Sequence, residues 1–369
     1  MRALKLIGVA GIFFGGFFCG ANSTQGQSQA PETANTRIDL RAAGPDLRAT
    51  MKDIVATADS PMWIGYEVAS VPGEHGDCCG DYREGANGKT NGVWHLEKEY
   101  RSGSESMRIK DDVKLEGGKD LWILYRADKR KIERIRMISG RCRLDAGGLR
   151  LIWLEDVKSK DSVAFLSEFV QGRENSGSDE HRISEQALTA IALHADAAAD
   201  KTLEGFSSPG QPEGLRKRAS FWMGAARGVA GLAQLEKMAR TDPSSDVRAQ
   251  VSFALYVSKE PGATEEIIRM AREDGSPHVR GQALFWLPPK AGAKAENAIT
   301  DAITSDPDTE VKKKAVFALS QMPKDEGVPK LIEVAERNKN LEVRKQAMFW
   351  LGQSEDPRAL AFFERVLKN

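Results

Sequence analysis

The chain has 369 residues, of which 41% are hydrophobic and 29% charged, so it can bury a sizeable core and is neither a disordered nor a membrane-embedded chain. Basic and acidic side chains balance at 53 each. That balance argues against nucleic acid or an anionic bilayer as partner, because both favour a basic excess on the binding face.

Residues 1–21 read as an export signal. Arg2 and Lys5 precede an apolar stretch from Leu6 to Phe18, and Cys19-Gly20-Ala21 supplies small residues for cleavage. The bulky Phe17-Phe18 pair argues against a lipid-modified Cys19, and the apolar run falls short of the roughly 18 to 20 residues of a spanning helix. The expectation is an exported protein, periplasmic or in the cell envelope, whose mature chain does not insert into a membrane.

Residues 22–37 are polar and small and read as a disordered linker. Residues 38–58 suit one helix, with Leu47, Met51, Ile54 and Val55 at helical spacing. Residues 59–160 then read as a small antiparallel β-rich domain. Trp63 to Val68, Gly92 to Leu96, Leu121 to Tyr125, Ile132 to Ile138 and Leu149 to Leu154 are short β-branched and aromatic runs, separated by turn residues such as Asn87-Gly88 and Gly147-Gly148. In the fourth run the alternation is imperfect: Ile132, Arg134, Arg136 and Ile138 share one face, Ile135 and Met137 the other.

From Asp161 to the end the period becomes helical. Segments beginning at Leu215, Val247, Val279, Val311 and Val343 align at intervals of 32 residues without an insertion. Position two is Arg216, Arg248, Arg280, Lys312 and Arg344, and position seven is Phe221, Phe253, Phe285, Phe317 and Phe349. A sixth, degenerate unit begins at Ile183. Within a unit, Val311, Ala315, Ala318 and Leu319 make one helical face and Leu331, Val334 and Ala335 a second. Pro323 and Pro288-Pro289 are expected to break the first helices, and Asp242-Pro243 and Asp306-Pro307 to mark the turns between units, where Asp can cap.

The stretches from Asp246 to Leu255 and from Glu342 to Gly352 resemble the short bacterial HEAT-like repeat, the variety also found in phycobilin-lyase-related proteins. The tetratricopeptide and ankyrin patterns are missing. The resemblance spans about residues 183 to 367, and it implies an α-α solenoid of about six repeats that serves as a protein-binding scaffold. The fold class expected is therefore α+β, with the solenoid at 161–369.

At 100° per residue, position seven lies roughly 140° from the centre of the Val-Ala-Ala-Leu face, so the phenylalanines point away from the second helix of their own unit. They fill the groove between neighbouring first helices, dock the β-rich domain, or bind another protein of unknown identity. Trp222, Trp286 and Trp350 at position eight alternate with Ala254 and Ala318 and read as core packing. The basic residues at position two read as a solvated or turn-bracing row.

Cys78, Cys79 and Cys142 suit one disulfide in an exported protein, from one of the adjacent pair to Cys142. A zinc site that adds His75 is disfavoured, because adjacent cysteines are not a normal tetrahedral ligand pair. No motif points to catalysis, to a metal or to a cofactor. A second class of function remains open, with a ligand-binding or hydrolytic site in the β-rich domain. A pocket lined by Trp63, Trp94, Trp122 or Trp153 would mark ligand binding, and converging carboxylates or His75 would mark hydrolysis.

Overall fold

The computed structural model describes residues 30–72, 93–98, 119–139, 143–170, 178–291 and 293–368. The export signal, His75 and the three cysteines at 78, 79 and 142 lie outside the described residues.

All five β runs read from the sequence are strands: β3 Met62–Ala69, β4 Val93–His95, β5 Asp120–Asp128, β6 Lys131–Ser139 and β8 Arg150–Glu155. Three more strands join them, β1 Thr33–Ala34, β2 Arg37–Ala42 and β7 Arg143–Asp145. The segment read as linker thus ends in a strand. The helix read over 38–58 is confined to α1 Leu47–Ala56, which starts at the N-cap Asp46 and buries Leu47, Met51 and Ile54.

A five-stranded sheet runs in the order β2-β8-β3-β5-β6, and a small one in the order β1-β7-β4. Pairing is antiparallel at β3/β5 and β5/β6, as expected, but parallel at β2/β8 and β3/β8. Side chains alternate between two cores. Ile64, Tyr66, Ile123, Tyr125, Ile152 and Leu154 face the helices, while Trp63, Trp122, Leu124, Leu151 and Trp153 face the small sheet. The imperfect alternation in β6 has a cause: a bulge opposite Arg126/Ala127 resets the register, so that Ile132 and Ile135 both reach the helical side and Ile138 the other. Gly65 is required by packing, since a Cβ there would stand 2.9 Å from the Trp153 ring and 3.0 Å from Leu124.

After α2 Ser159–Ser167 come six helix hairpins: α3 Ser178–Leu193 with α4 Ala197–Phe206, α5 Glu213–Ala226 with α6 Gly228–Thr241, α7 Ser245–Val257 with α8 Gly262–Glu273, α9 Pro277–Ala291 with α10 Ala293–Ser305, α11 Thr309–Ser320 with α12 Lys324–Arg337, and α13 Leu341–Gln353 with α14 Pro357–Lys368. Each buries the aliphatic face read from the sequence: Val247, Val251 and Leu255, then Val311, Ala315 and Leu319. Pro323 does stand at the start of a helix, as the N-cap of α12. Pro288-Pro289, however, does not break α9, which continues to Ala291. Each proline removes one amide bond, and the fixed ring φ is itself helical.

The turns also differ in detail from the sequence reading. Asp242 and Asp274 are C-caps, of α6 and α8, and the N-caps are Ser244 and Asp308 two residues beyond Asp242 and Asp306. A carboxylate at a helix C-terminus opposes the macrodipole. The position-two arginines offset this: Arg216, Arg248 and Arg280 each fork onto the aspartate 26 residues later, at 2.7–3.1 Å. The basic row is therefore turn-bracing. Burial works to raise the Asp274 carboxyl, but Arg248 and the Ser276 N–H outweigh it and hold it below the usual range.

The sheet docks on the first hairpin. Gln186 of α3 accepts the Ile135 N–H of the edge strand β6, at 3.0 Å. Behind it runs a buried chain of hydrogen bonds. His194 Nδ1 meets the Ala190 carbonyl at 2.6 Å, so that nitrogen carries the proton and Nε2 accepts from Ser162 Oγ at 2.9 Å. Ser162 in turn accepts from Tyr66, at 2.7 Å, and Tyr66 from Tyr125, at 2.6 Å. Burial pushes the Tyr66 hydroxyl up to about 12 and the His194 imidazole down to about 4. All four groups are thus neutral and satisfied, and they tie β3 and β5 to α2 and α3.

Candidate functional site

Position seven of the repeat lies in the third turn of α5, α7, α9, α11 and α13, on the side away from the aliphatic core face. The phenylalanines there are not isolated. Phe221 stacks on Phe253 at 6.0 Å between ring centroids, Phe253 meets Trp286 at 4.8 Å, Phe285 stacks on Phe317 at 5.7 Å, and Phe317 meets Trp350 at 5.0 Å. Phe285 and Phe349 stand edge-on to the tryptophans that follow them. Tyr256 closes the gap between Phe253 and Trp286. The result is one aromatic run across five first helices.

The alternation at position eight sets its relief. Ala254 and Ala318 leave room for the tryptophan of the next unit to reach back over Phe253 and Phe317, so those two rings are half-buried. Beside Trp286 and Trp350 the phenylalanines stand out, Phe285 42% exposed and Phe349 55%, whereas Phe221 beside Trp222 is half-buried and stacks on Phe253. The tryptophans were expected in the core, and Trp222 and Trp350 do pack half-buried against it, but all three also reach the surface. Trp222, Trp286 and Trp350 are half-buried members of the surface run. Helical spacing placed them at the margin of the core face; the choice between core and surface depended on the small residue in the neighbouring unit. Tyr256, which the periodicity did not single out, joins because its position is one turn beyond Phe253.

The groove-filling and exposed readings of the phenylalanines therefore each hold for different members. Among the described residues the β-rich domain meets the solenoid at α3, not at this run.

The other candidates hold less. Trp63, Trp122 and Trp153 are buried and pack with Leu124 and Leu151, so among the described residues they form a second core. Trp94 packs half-buried against the same cluster. A cleft of about 970 Å³ opens between β6, α1, α2 and α3. Three of its carboxylates are paired, Glu168 with Arg48, Glu133 with Arg126 and Asp179 with Arg182, and its described lining contains no histidine, serine, threonine or cysteine. Among the described residues no group of His, Cys, Asp and Glu could hold a metal ion, and no helix is long and apolar enough to cross a membrane.

Six hairpins in 32-residue register, each first helix packed on the next, make the C-terminal region a HEAT-like repeat solenoid preceded by a small β-rich domain. A model of the family described as HEAT repeats matches residues 296–369. Among solved structures, the complex of CpcE and CpcF of phycocyanin lyase from Nostoc sp. PCC7120 is similar at 23% identity over 42% of this chain and 99% of that one, with a TM-score of 0.32. Human deoxyhypusine hydroxylase is similar at 14% identity over 56% of this chain and 90% of that one, with a TM-score of 0.30. Kap121p follows at 13% identity over 52% and 25% of the two chains, with a TM-score of 0.34. No curated protein matches the chain significantly in sequence.

Proposed function

We propose that the chain is an exported scaffold that holds another protein in the cell envelope, with the aromatic run on the first helices as the contact surface. One observation carries the reading: Phe285 and Phe349 stand exposed at the crests of a continuous aromatic run. Large exposed rings are costly to leave in water, and aromatic side chains dominate the anchors of protein interfaces. Export rests on the charged, apolar and small-residue order of residues 1–21.

The test immobilises the full chain and captures its partner from an envelope extract, beside a Phe285→Ser, Phe349→Ser double variant. Loss of the partner with an unchanged melting temperature is the expected result. Undiminished capture by the variant would overturn the reading, and fractionation that found the protein in the cytoplasm would overturn its export.

A further inference from the structure

The charge around the aromatic run is not the neutral average of the whole chain. On α11 and α13 five lysines and arginines stand against two glutamates, and α9 between Pro277 and Ala291 has no acidic residue. The second helices α8, α10 and α12 reverse this, with nine acidic side chains against six basic ones. The first helices that carry the phenylalanines are therefore basic as a set, whereas the second helices are mixed, α8, α10 and α12 acidic and α6 and α14 basic.

Within the basic first helices, Lys314 has a particular position. It lies one helical turn before Phe317, on the same face, and its side chain crosses from α11 to α9. A Cβ built on Gly281 would stand 2.5 Å from Lys314 Cδ and 3.0 Å from Nζ. Only the absence of a side chain at Gly281 lets the lysine lie there, and Gly281 is itself one turn before Phe285. Lys314 is exposed and among the described residues has no acidic partner, whereas Lys313 on α11 and Lys345 on α13 pair with Glu310 and Glu342. The ammonium so placed lies over α9 at Gly281, one helical turn before the exposed Phe285.

From this we infer that the segment recognised by the run is acidic and carries two apolar anchors, one for Phe285 and one for Phe349, with a carboxylate next to the first for Lys314. This rests on the run being the contact surface. Neighbouring first helices lie about 8–10 Å apart, so the two crests are separated by roughly 20 Å, the reach of about six residues of extended chain. Apolar anchors supply the burial, and the carboxylate selects the partner and its register. Nucleic acid suits the surface less well, because Arg216, Arg248 and Arg280 of the first helices are occupied by Asp242, Asp274 and Asp306.

The experiment titrates the full chain with a random copolymer of Glu and Tyr, and with poly-Glu, a Lys-Tyr copolymer and a single-stranded oligothymidine, following tryptophan fluorescence at 150 mM salt. Preferential binding of the Glu-Tyr copolymer, weakened about tenfold by Lys314→Glu and again by Phe285→Ser, and untouched by Lys368→Glu, is the expected result. Equal binding of the Lys-Tyr copolymer would overturn the inference while leaving an aromatic contact surface in place. Absence of binding to any copolymer, tighter binding of the oligothymidine, or loss with Lys314→Glu but not with Phe285→Ser would overturn it too. Failure of the contact surface itself shows separately, as capture that survives the double phenylalanine variant.

Discussion

Arg280 donates from Nε and Nη2 to the two carboxylate oxygens of Asp306, at 2.7 and 3.0 Å, and from Nη1 to the Asp274 carbonyl of the preceding turn, at 2.9 Å. One buried side chain thus holds two consecutive inter-repeat turns. Arg248 repeats the arrangement with Asp274 and Asp242. In the next unit the partners change together: Lys312 takes the arginine position and Asn338 the aspartate position, and the lysine reaches the Thr304 carbonyl instead.

Asp306→Ala should therefore cost about 3–5 kcal/mol, because it strands a buried guanidinium. The double variant Arg280→Lys, Asp306→Asn copies the Lys312/Asn338 combination and should be milder than either single change. Urea unfolding of all four proteins, treated as a double-mutant cycle, measures the coupling, and additive effects would contradict the paired role.

The buried His194 makes stability pH-dependent. An unfolded-chain histidine titrates near 6.5, whereas burial, helped by the charge of Arg227 and opposed by the bond to Ala190, holds His194 at about 4. Between those values the unfolded chain binds a proton that the native chain does not, so stability falls as pH drops from 6.5 to 4 and levels off below. The loss amounts to about 3 kcal/mol at most. Melting temperatures measured from pH 7 to pH 4.5 should fall more steeply for the wild-type protein than for His194→Gln.

Phe317 and Phe349 occupy the same repeat position but differ in surroundings. Phe317 lies between Phe285 and Trp350, and Phe349 is 55% exposed. Phe317→Ala should cost about 2–3 kcal/mol and Phe349→Ala under about 1 kcal/mol, as compared by denaturant midpoints. Equal losses would mean that the relief of the aromatic run does not govern its energetics.

Gly65→Ala places a methyl group against the Trp153 ring and Leu124 in a core that is already filled. The expected cost is about 1–3 kcal/mol, visible as a lowered melting temperature with the solenoid's helical circular dichroism retained before the transition.

Much of this architecture is legible without coordinates. The 32-residue period, the two amphipathic faces per unit and the degenerate unit at Ile183 are all read directly, because each solenoid repeat packs only on its neighbours and therefore repeats its own pattern. The β runs are legible for a similar reason, since alternation between two buried faces is written into each strand. The strand β2 is not. Arg37 to Ala42 pair in parallel with Arg150 to Glu155, more than a hundred residues away, and nothing local in a mostly exposed strand announces that partner. The site divides in the same way. Phe221, Phe253, Phe285, Phe317 and Phe349 stand out in the sequence, while the membership of Tyr256, Trp286 and Trp350 does not.

The sequence alone determines the repeat, its helical faces and the ring at position seven, because these follow from periodicity within one unit. Contacts between units decide the rest. Whether Phe253 and Phe317 are covered depends on Trp286 and Trp350 of the next unit, and whether Lys314 can lie against α9 depends on the bare backbone of Gly281. The pairing of His194 with Ser162 and Tyr66 depends on how the sheet meets the first hairpin. Side-chain volume and hydrogen-bond geometry act only once the chain has brought these distant residues together.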